Sequence, residues 1–162
     1  MQATLRREFP MDTTGAIYWE DIEEGAVMIS PARTMTEADI VNFCGLSGDF
    51  NVIHTDAEMV KGTPFGQRIA HGLLGLSIAS GLIARSPGAE QSKLVAFLGL
   101  TWDFRNPVMI GDTIHVEQTV SSKRAISKPG LGIVHYDVKV KNQRGDVCQE
   151  GEWKVLYQKR EA

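Results

Sequence analysis

Residues 69–84 read Ile-Ala-His-Gly-Leu-Leu-Gly-Leu-Ser-Ile-Ala-Ser-Gly-Leu-Ile-Ala, sixteen positions at which apolar or small side chains are nearly continuous. Periodicity alone does not separate helix from strand in such a run, so length decides. It is too long for a typical strand, and as a helix it extends ~24 Å. A helix that is apolar all round must be covered all round. It is also too short to cross a bilayer, and His71, Ser77 and Ser80 interrupt it. Its glycines, Gly72, Gly75 and Gly81, each cost about 1 kcal/mol of helix propensity. In exchange they leave a thin cylinder that other backbone can approach. The rest of the chain must therefore supply a wrapper.

That wrapper is legible downstream as strands. Residues 94–104 are almost unbroken apolar sequence, the pattern of a central strand covered on both faces. Beyond Pro107 and Gly111-Asp112, Ile114, Val116 and Val120 alternate with polar residues, as do Val134, Tyr136, Val138 and Val140. After a turn at Arg144-Gly-Asp146, residues 147–157 place Trp153, Val155 and Tyr157 on one face. Four successive strands with short links predict an antiparallel meander. One buried helix with such a sheet predicts an α+β fold, the sheet curved around the helix. Upstream, residues 26–35 read as a first strand. Thr36-Glu-Ala-Asp39 reads as a capping box, opening a helix with Ile40, Val41, Phe43 and Cys44 on one stripe and an end near Gly45 or Gly48. A short helical piece over 57–61 closes at Gly62 and Pro64. Residues 1–16 read as a polar arm with no apolar run, hence no secretory signal, and residues 17–162 as one domain.

Charge and cysteine content narrow the function. A net charge of −3 argues against a nucleic-acid binder and against attachment to anionic membranes. Cys44 and Cys148 lie far apart with no C-x-x-C pair, which predicts two free thiols in a reducing, cytoplasmic setting.

Chemistry concentrates in Leu46-Ser-Gly-Asp-Phe-Asn-Val-Ile-His54, where Asp49, Asn51 and His54 follow a helix end. A carboxylate beside an imidazole is what orienting and deprotonating a water molecule requires. The plainer alternative has Asp49 capping a turn, Asn51 holding one, and His54 exposed. A second segment, Phe65-Gly-Gln-Arg-Ile-Ala-His-Gly72, leads into the apolar helix. Free N–H groups and the positive end of the dipole at that helix start suit an oxyanion, and Gly72 would let substrate reach the backbone. Alternatively Gly72 and His71 only shape the helix start. Ser80 offers a hydroxyl to a pocket, or else bonds back to its own helix. The four histidines show no metal-binding spacing, His115 and His135 fall in strands, and Gly130-Leu-Gly132 reads as a hairpin turn.

Taken in order and spacing, Asp49-Phe-Asn-Val-Ile-His54, Ile69-Ala-His-Gly-Leu-Leu74, Ser80-Gly-Leu82 and Phe104-Arg-Asn-Pro-Val108 with Gly111-Asp112 resemble the MaoC-like dehydratase family, which includes the (R)-specific enoyl-CoA hydratases. The resemblance implies the hot-dog fold, a long helix wrapped by an antiparallel sheet. It implies that Asp49 and His54 activate water, that the Gly72 N–H holds the oxyanion, and that Asn51 and Ser80 support the site. The family's usual proline is here Val52, which frees φ and adds a donor. The implied reaction is reversible hydration of a 2-enoyl thioester to an (R)-3-hydroxyacyl thioester. It needs no metal and no cofactor, because the thioester is itself the electron sink. The implied partners are an acyl-CoA or acyl-carrier-protein thioester and further copies of the chain, at least a dimer. Lys123, Arg124 and Lys128 read as a solvated loop, with CoA phosphates as the alternative role. Two rivals share the fold: an acyl-CoA thioesterase and a non-catalytic acyl-binding subunit. Retention of both Asp49 and His54 counts against the latter.

Overall fold

A computed structural model describes residues 15–160. The polar arm expected at 1–16 lies almost wholly outside the described residues. After a 3-10 turn at Trp19–Asp21, the elements in chain order are β1 (Val27–Ile29), β2 (Arg33–Thr34), α1 (Glu37–Ser47), α2 (Val52–Thr55) and a 3-10 turn at Met59–Gly62. There follow α3 (Gly72–Ala84), β3 (Leu94–Phe104), β4 (Thr113–Ala125), β5 (Leu131–Lys141) and β6 (Val147–Gln158). The α+β class is as expected, with α3 lying against one antiparallel sheet.

Strand order is β1-β4-β5-β6-β3, with β2 also pairing β4. The β4-β5-β6 meander matches the alternation read from the sequence. On its inner face lie Ile114, Val116, Val120, Val134, Tyr136, Val138, Val140, Trp153, Val155 and Tyr157, all buried with Leu74, Ile78, Ala79 and Leu82 of α3. β3 does not extend that meander. It pairs with β6 rather than β4, and the Arg105 and Asn106 N–H groups continue the pairing by donating to the Cys148 carbonyl. Within the chain the expectation of a central, doubly covered strand is not met: β3 is an edge strand, with Leu94, Val95, Phe97, Leu98, Leu100 and Phe104 all exposed.

Three smaller differences have local causes. The single strand expected over 26–35 is split at Ser30-Pro31, because proline cannot donate to a ladder; β1 and β2 each pair briefly with β4. In α1 the capping box forms, with Asp39 accepting from both the N–H and the hydroxyl of Thr36, and Gly48 ends the helix in the left-handed region at φ 76°. Ile40 and Cys44 face inward as predicted, but Val41 is 56% exposed, since the helix stripe is narrower than the apolar one. The piece expected over 57–61 is a 3-10 turn shifted two residues on, and α2 was not anticipated at all. Helix α3 begins and ends close to prediction, yet only part of its circumference is covered. Leu73 is 60% exposed, and Ser77, Ser80 and Gly81 lie on the same open side. No described helix is long and apolar enough to cross a membrane.

Candidate active site

The segment between α1 and α2 is stiffened by short-range hydrogen bonds, each linking a side chain to backbone two residues on. Ser47 Oγ accepts the Asp49 N–H, Asp49 Oδ1 accepts the Asn51 N–H, and Asn51 Oδ1 accepts the Ile53 N–H. Such turns are what Ser, Asp and Asn side chains favour. The last of them caps α2, so Asn51 sets the start of the turn that carries His54. Val52 occupies the first helical position. Helical hydrogen bonds from His54 N–H to Asn51 and from Asp56 N–H to Val52 hold what a proline ring would otherwise constrain.

α2 turns His54 inward, where the side chain is buried. Its Nδ1 lies 2.8 Å from the Ile69 carbonyl, which can only accept, so Nδ1 carries the proton and Nε2 presents a lone pair. The Ile69 N–H returns a bond to the Ile53 carbonyl. Two residues further on, His71 is the N-cap of α3 and stacks on His54 with ring centroids 3.7 Å apart at 26°. His71 Nε2 donates to the Asp49 carbonyl at 3.0 Å, while its Nδ1 is buried with no hydrogen-bond partner. Phe43 packs on the other side at 5.0 Å. Ligating atoms of Asp49, His54 and His71 all fall within 4.8 Å of one another, a spacing suited to holding one water molecule or, with all three groups as donors, an ion.

Pairing of Asp49 with His54 was expected, whereas His71 as the third member was missed. Sequence reading treated it as shaping a helix start, and only the adjacency of His71 to Gly72 hinted at more.

His54 and Gly72 line one cavity of about 410 Å³, with Phe65, Leu73, Phe104, Asn106 and Val108 among its walls. Gly72 opens α3, so its N–H belongs to the first turn, where helical N–H groups lack intrahelical acceptors. A Cβ there would overlap the Phe104 ring, and its carbonyl accepts from Gln149 Nε2 at 3.1 Å. Gln149 in turn accepts from the Trp102 indole, which pins the start of α3 to β3 and β6. The wall over 105–112 is anchored by Asp112. Burial alone would raise the pKa of this carboxyl. Hydrogen bonds from Arg144, the Met109 N–H and Gln143, with the guanidinium charge, outweigh burial and hold it below its ordinary value.

Ser80 is not brought to this constellation. It lies eight residues beyond Gly72, ~12 Å along the helix, and lines a second, larger cavity of about 700 Å³ between α3 and the sheet. Lys123 is not a free cation of a solvated loop: its Nζ donates to the carbonyls of Trp19 and Ile22 and sits 4.1 Å from the Trp19 ring centre. His135 pairs with Glu152 on the strand surface.

Comparison with known proteins gives a consistent set. Residues 21–142 match the family described as MaoC like domain. Protein MaoC of Klebsiella aerogenes is 40% identical over 107 residues, covering 65% of this chain and 31% of that protein. The chain thus spans under a third of that relative. An (R)-specific enoyl-CoA hydratase of Rhodospirillum rubrum is 38% identical over 105 residues, covering 64% of this chain and 69% of the relative. Among solved structures, a protein described as a monoamine oxidase regulatory protein from Archaeoglobus superposes with a TM-score of 0.84 at 37% identity, over 91% of this chain and 97% of that one. A Mycobacterium tuberculosis protein with a double hotdog fold superposes at 0.78 and 20% identity, over 92% of this chain and 46% of that one. The fold is the hot dog.

Proposed function

Since the chain belongs to the MaoC-like dehydratase family, we propose that it is an acyl-thioester hydratase and dehydratase, adding water reversibly to a 2-enoyl thioester to give the (R)-3-hydroxyacyl thioester. The observation that carries this reading is the closeness of Asp49 to His54, with Nε2 of His54 left as a lone pair by the Ile69 carbonyl and with His54 and Gly72 lining one cavity. In hydration, Asp49 and His54 hold the water and take one proton as its oxygen bonds to C3. The electron pair of the 2,3-double bond moves toward the thioester carbonyl. The oxygen that gains charge rests at the Gly72 N–H and the positive end of α3. Return of a proton to C2 completes the addition, with no net change in redox state. Asn51 contributes by capping the turn that carries His54. Ser80 belongs to the cavity that takes the acyl portion. A coenzyme A or acyl-carrier-protein thioester is the substrate class.

The assembly that goes with this reading is at least a dimer. Leu73 on the open side of α3 and the exposed apolar side chains on both faces of β3 are surface that a second copy would cover, and an edge strand offers unpaired backbone groups to a neighbour.

The decisive test is Asp49→Asn. Asparagine can still accept the Asn51 N–H, so a merely structural Asp49 predicts retained activity and stability. A proton-accepting Asp49 predicts a fall of roughly 10²–10⁴ in hydration with the melting temperature nearly unchanged. Loss of enoyl-thioester absorbance reads hydration while a thiol reagent reads release. Stoichiometric thiol release by the wild type would replace the hydratase with a thioesterase, and an active variant would remove Asp49 from the chemistry. Running the same assay after exhaustive EDTA treatment separates a water from an ion at the Asp49, His54 and His71 trio: turnover should persist.

A further inference from the structure

The larger cavity holds a feature that packing does not explain. On β4 the inward-facing positions run Ile114, Val116, Gln118, Val120, so one amide interrupts a row of β-branched aliphatics. Gln118 is 94% buried, its exposure being 6%, and its cross-strand neighbours Met28 and Val138 offer no polar side chain. Its carboxamide has no hydrogen-bond partner among the described residues, yet it lines the 700 Å³ cavity. A buried amide without a partner is destabilising relative to an aliphatic of similar size. Several other polar groups nearby are paired within the fold. The Tyr136 hydroxyl donates to Tyr157 at 2.9 Å, and the Ser77 and Ser86 hydroxyls bond back to their own segment at Leu73 and Leu82. Among the described residues lining the cavity Gln118 is not alone in this: the Trp153 indole N–H is buried with no hydrogen-bond partner, and the Ser80 hydroxyl, across the cavity, has none either.

We infer that Gln118 selects the acyl group: the cavity takes an acyl chain bearing a neutral oxygen substituent, keto or hydroxyl, away from the thioester, and the Gln118 amide hydrogen-bonds it. This rests on the acyl-thioester reading above. An amide can donate to a carbonyl or exchange hydrogen bonds with a hydroxyl. A carboxylate is disfavoured, because the one charged side chain of the lining is the acid Glu90. The apolar remainder of the wall, including Leu76, Ile83, Phe97 and Val155, suits the methylenes between.

The test compares trans-2-octenoyl-CoA with its analogues carrying a carbonyl at carbon 5, 6 or 7, for the wild type and for the near-isosteric Gln118→Met. At least one keto analogue should exceed the unsubstituted chain about tenfold or more in kcat/KM. That ratio should collapse in Gln118→Met, whose melting temperature should rise. A wild type that treats all four chains alike, or a variant that keeps the preference, overturns the assignment of Gln118 while leaving the hydratase standing. Calorimetric binding of octanoyl-CoA and its keto analogues reads the cavity independently of turnover. Absence of hydration with the binding preference intact would sink the hydratase and keep Gln118; absence of both would sink the two together.

Discussion

His54 meets its surroundings through one ring nitrogen and one ring face, and both contacts come from the same short segment, Ile69 to His71. His71 is thereby tied to both members of the pair, stacked on one and bonded to the main chain of the other. Its own Nδ1 stays buried and unpaired at the N-cap of α3. We expect His71→Leu to fold but to lose kcat about 10–100-fold with KM little altered, since a small misplacement of a reacting group has effects of that size. Steady-state kinetics beside circular dichroism would check this, and an unchanged kcat would reduce His71 to packing. The proximity of the Asp49 carboxylate and the His54 imidazole was legible through the family resemblance, since the spacing alone is equally served by Asp49 holding a turn, which it also does. His71 was not, because stacking depends on how two segments fifteen or more residues apart are brought side by side. Ser80 was legible as a hydroxyl on the helix but not as a resident of a different cavity, which depends on which side of α3 the sheet leaves open.

Helix propensity and close approach compete within α3, and the competition can be measured. Gly75→Ala would ordinarily gain about 1 kcal/mol in a helix interior. Here a Cβ would run into the Gln149 amide that holds the Gly72 carbonyl, so the substitution should instead destabilise. Gly45→Ala in α1 meets nothing within 4 Å and should stabilise by about 0.5–1 kcal/mol. Denaturant unfolding of the two variants should move the midpoint in opposite directions; movement in the same direction would mean that Gln149 yields freely. Elements whose patterning depends on one face, such as β4, β5 and β6, were read correctly from alternation. β3 was misread because an apolar run looks the same whether its cover comes from its own chain or from another molecule. α2 escaped notice because four residues carry too little periodicity, and it is held by the Asn51 cap rather than by propensity.

At the scale of the molecule, the uncovered side of α3 and the edge strand β3 predict self-association. Sedimentation equilibrium at micromolar concentration should give twice the 17.8 kDa chain mass or more, and a purely monomeric species would contradict this. Acid stability should report the loop that walls the site. The folded pKa of Asp112 lies below its ordinary value of 3.8, so its contribution is present above that pH and is lost as pH falls through the folded value. Asp112→Asn should therefore be less stable than the wild type at pH 7, by about 1–3 kcal/mol, and the gap should narrow as the pH is lowered below the ordinary carboxylate range. A constant gap from pH 7 down to pH 3, measured by urea unfolding, would show that charge plays no part. The whole fold also closes on itself at one corner. Arg160 at the end of the described chain donates to Glu20 and Asp21 near its beginning, and Lys123 grips the same turn from β4. The first and last of the described elements are therefore neighbours in space, and the order in which the chain visits the elements is largely separable from their shape. A chain of this kind can be joined at that corner and opened in an exposed turn elsewhere, or spliced end to end with another of its kind, without redrawing its interior.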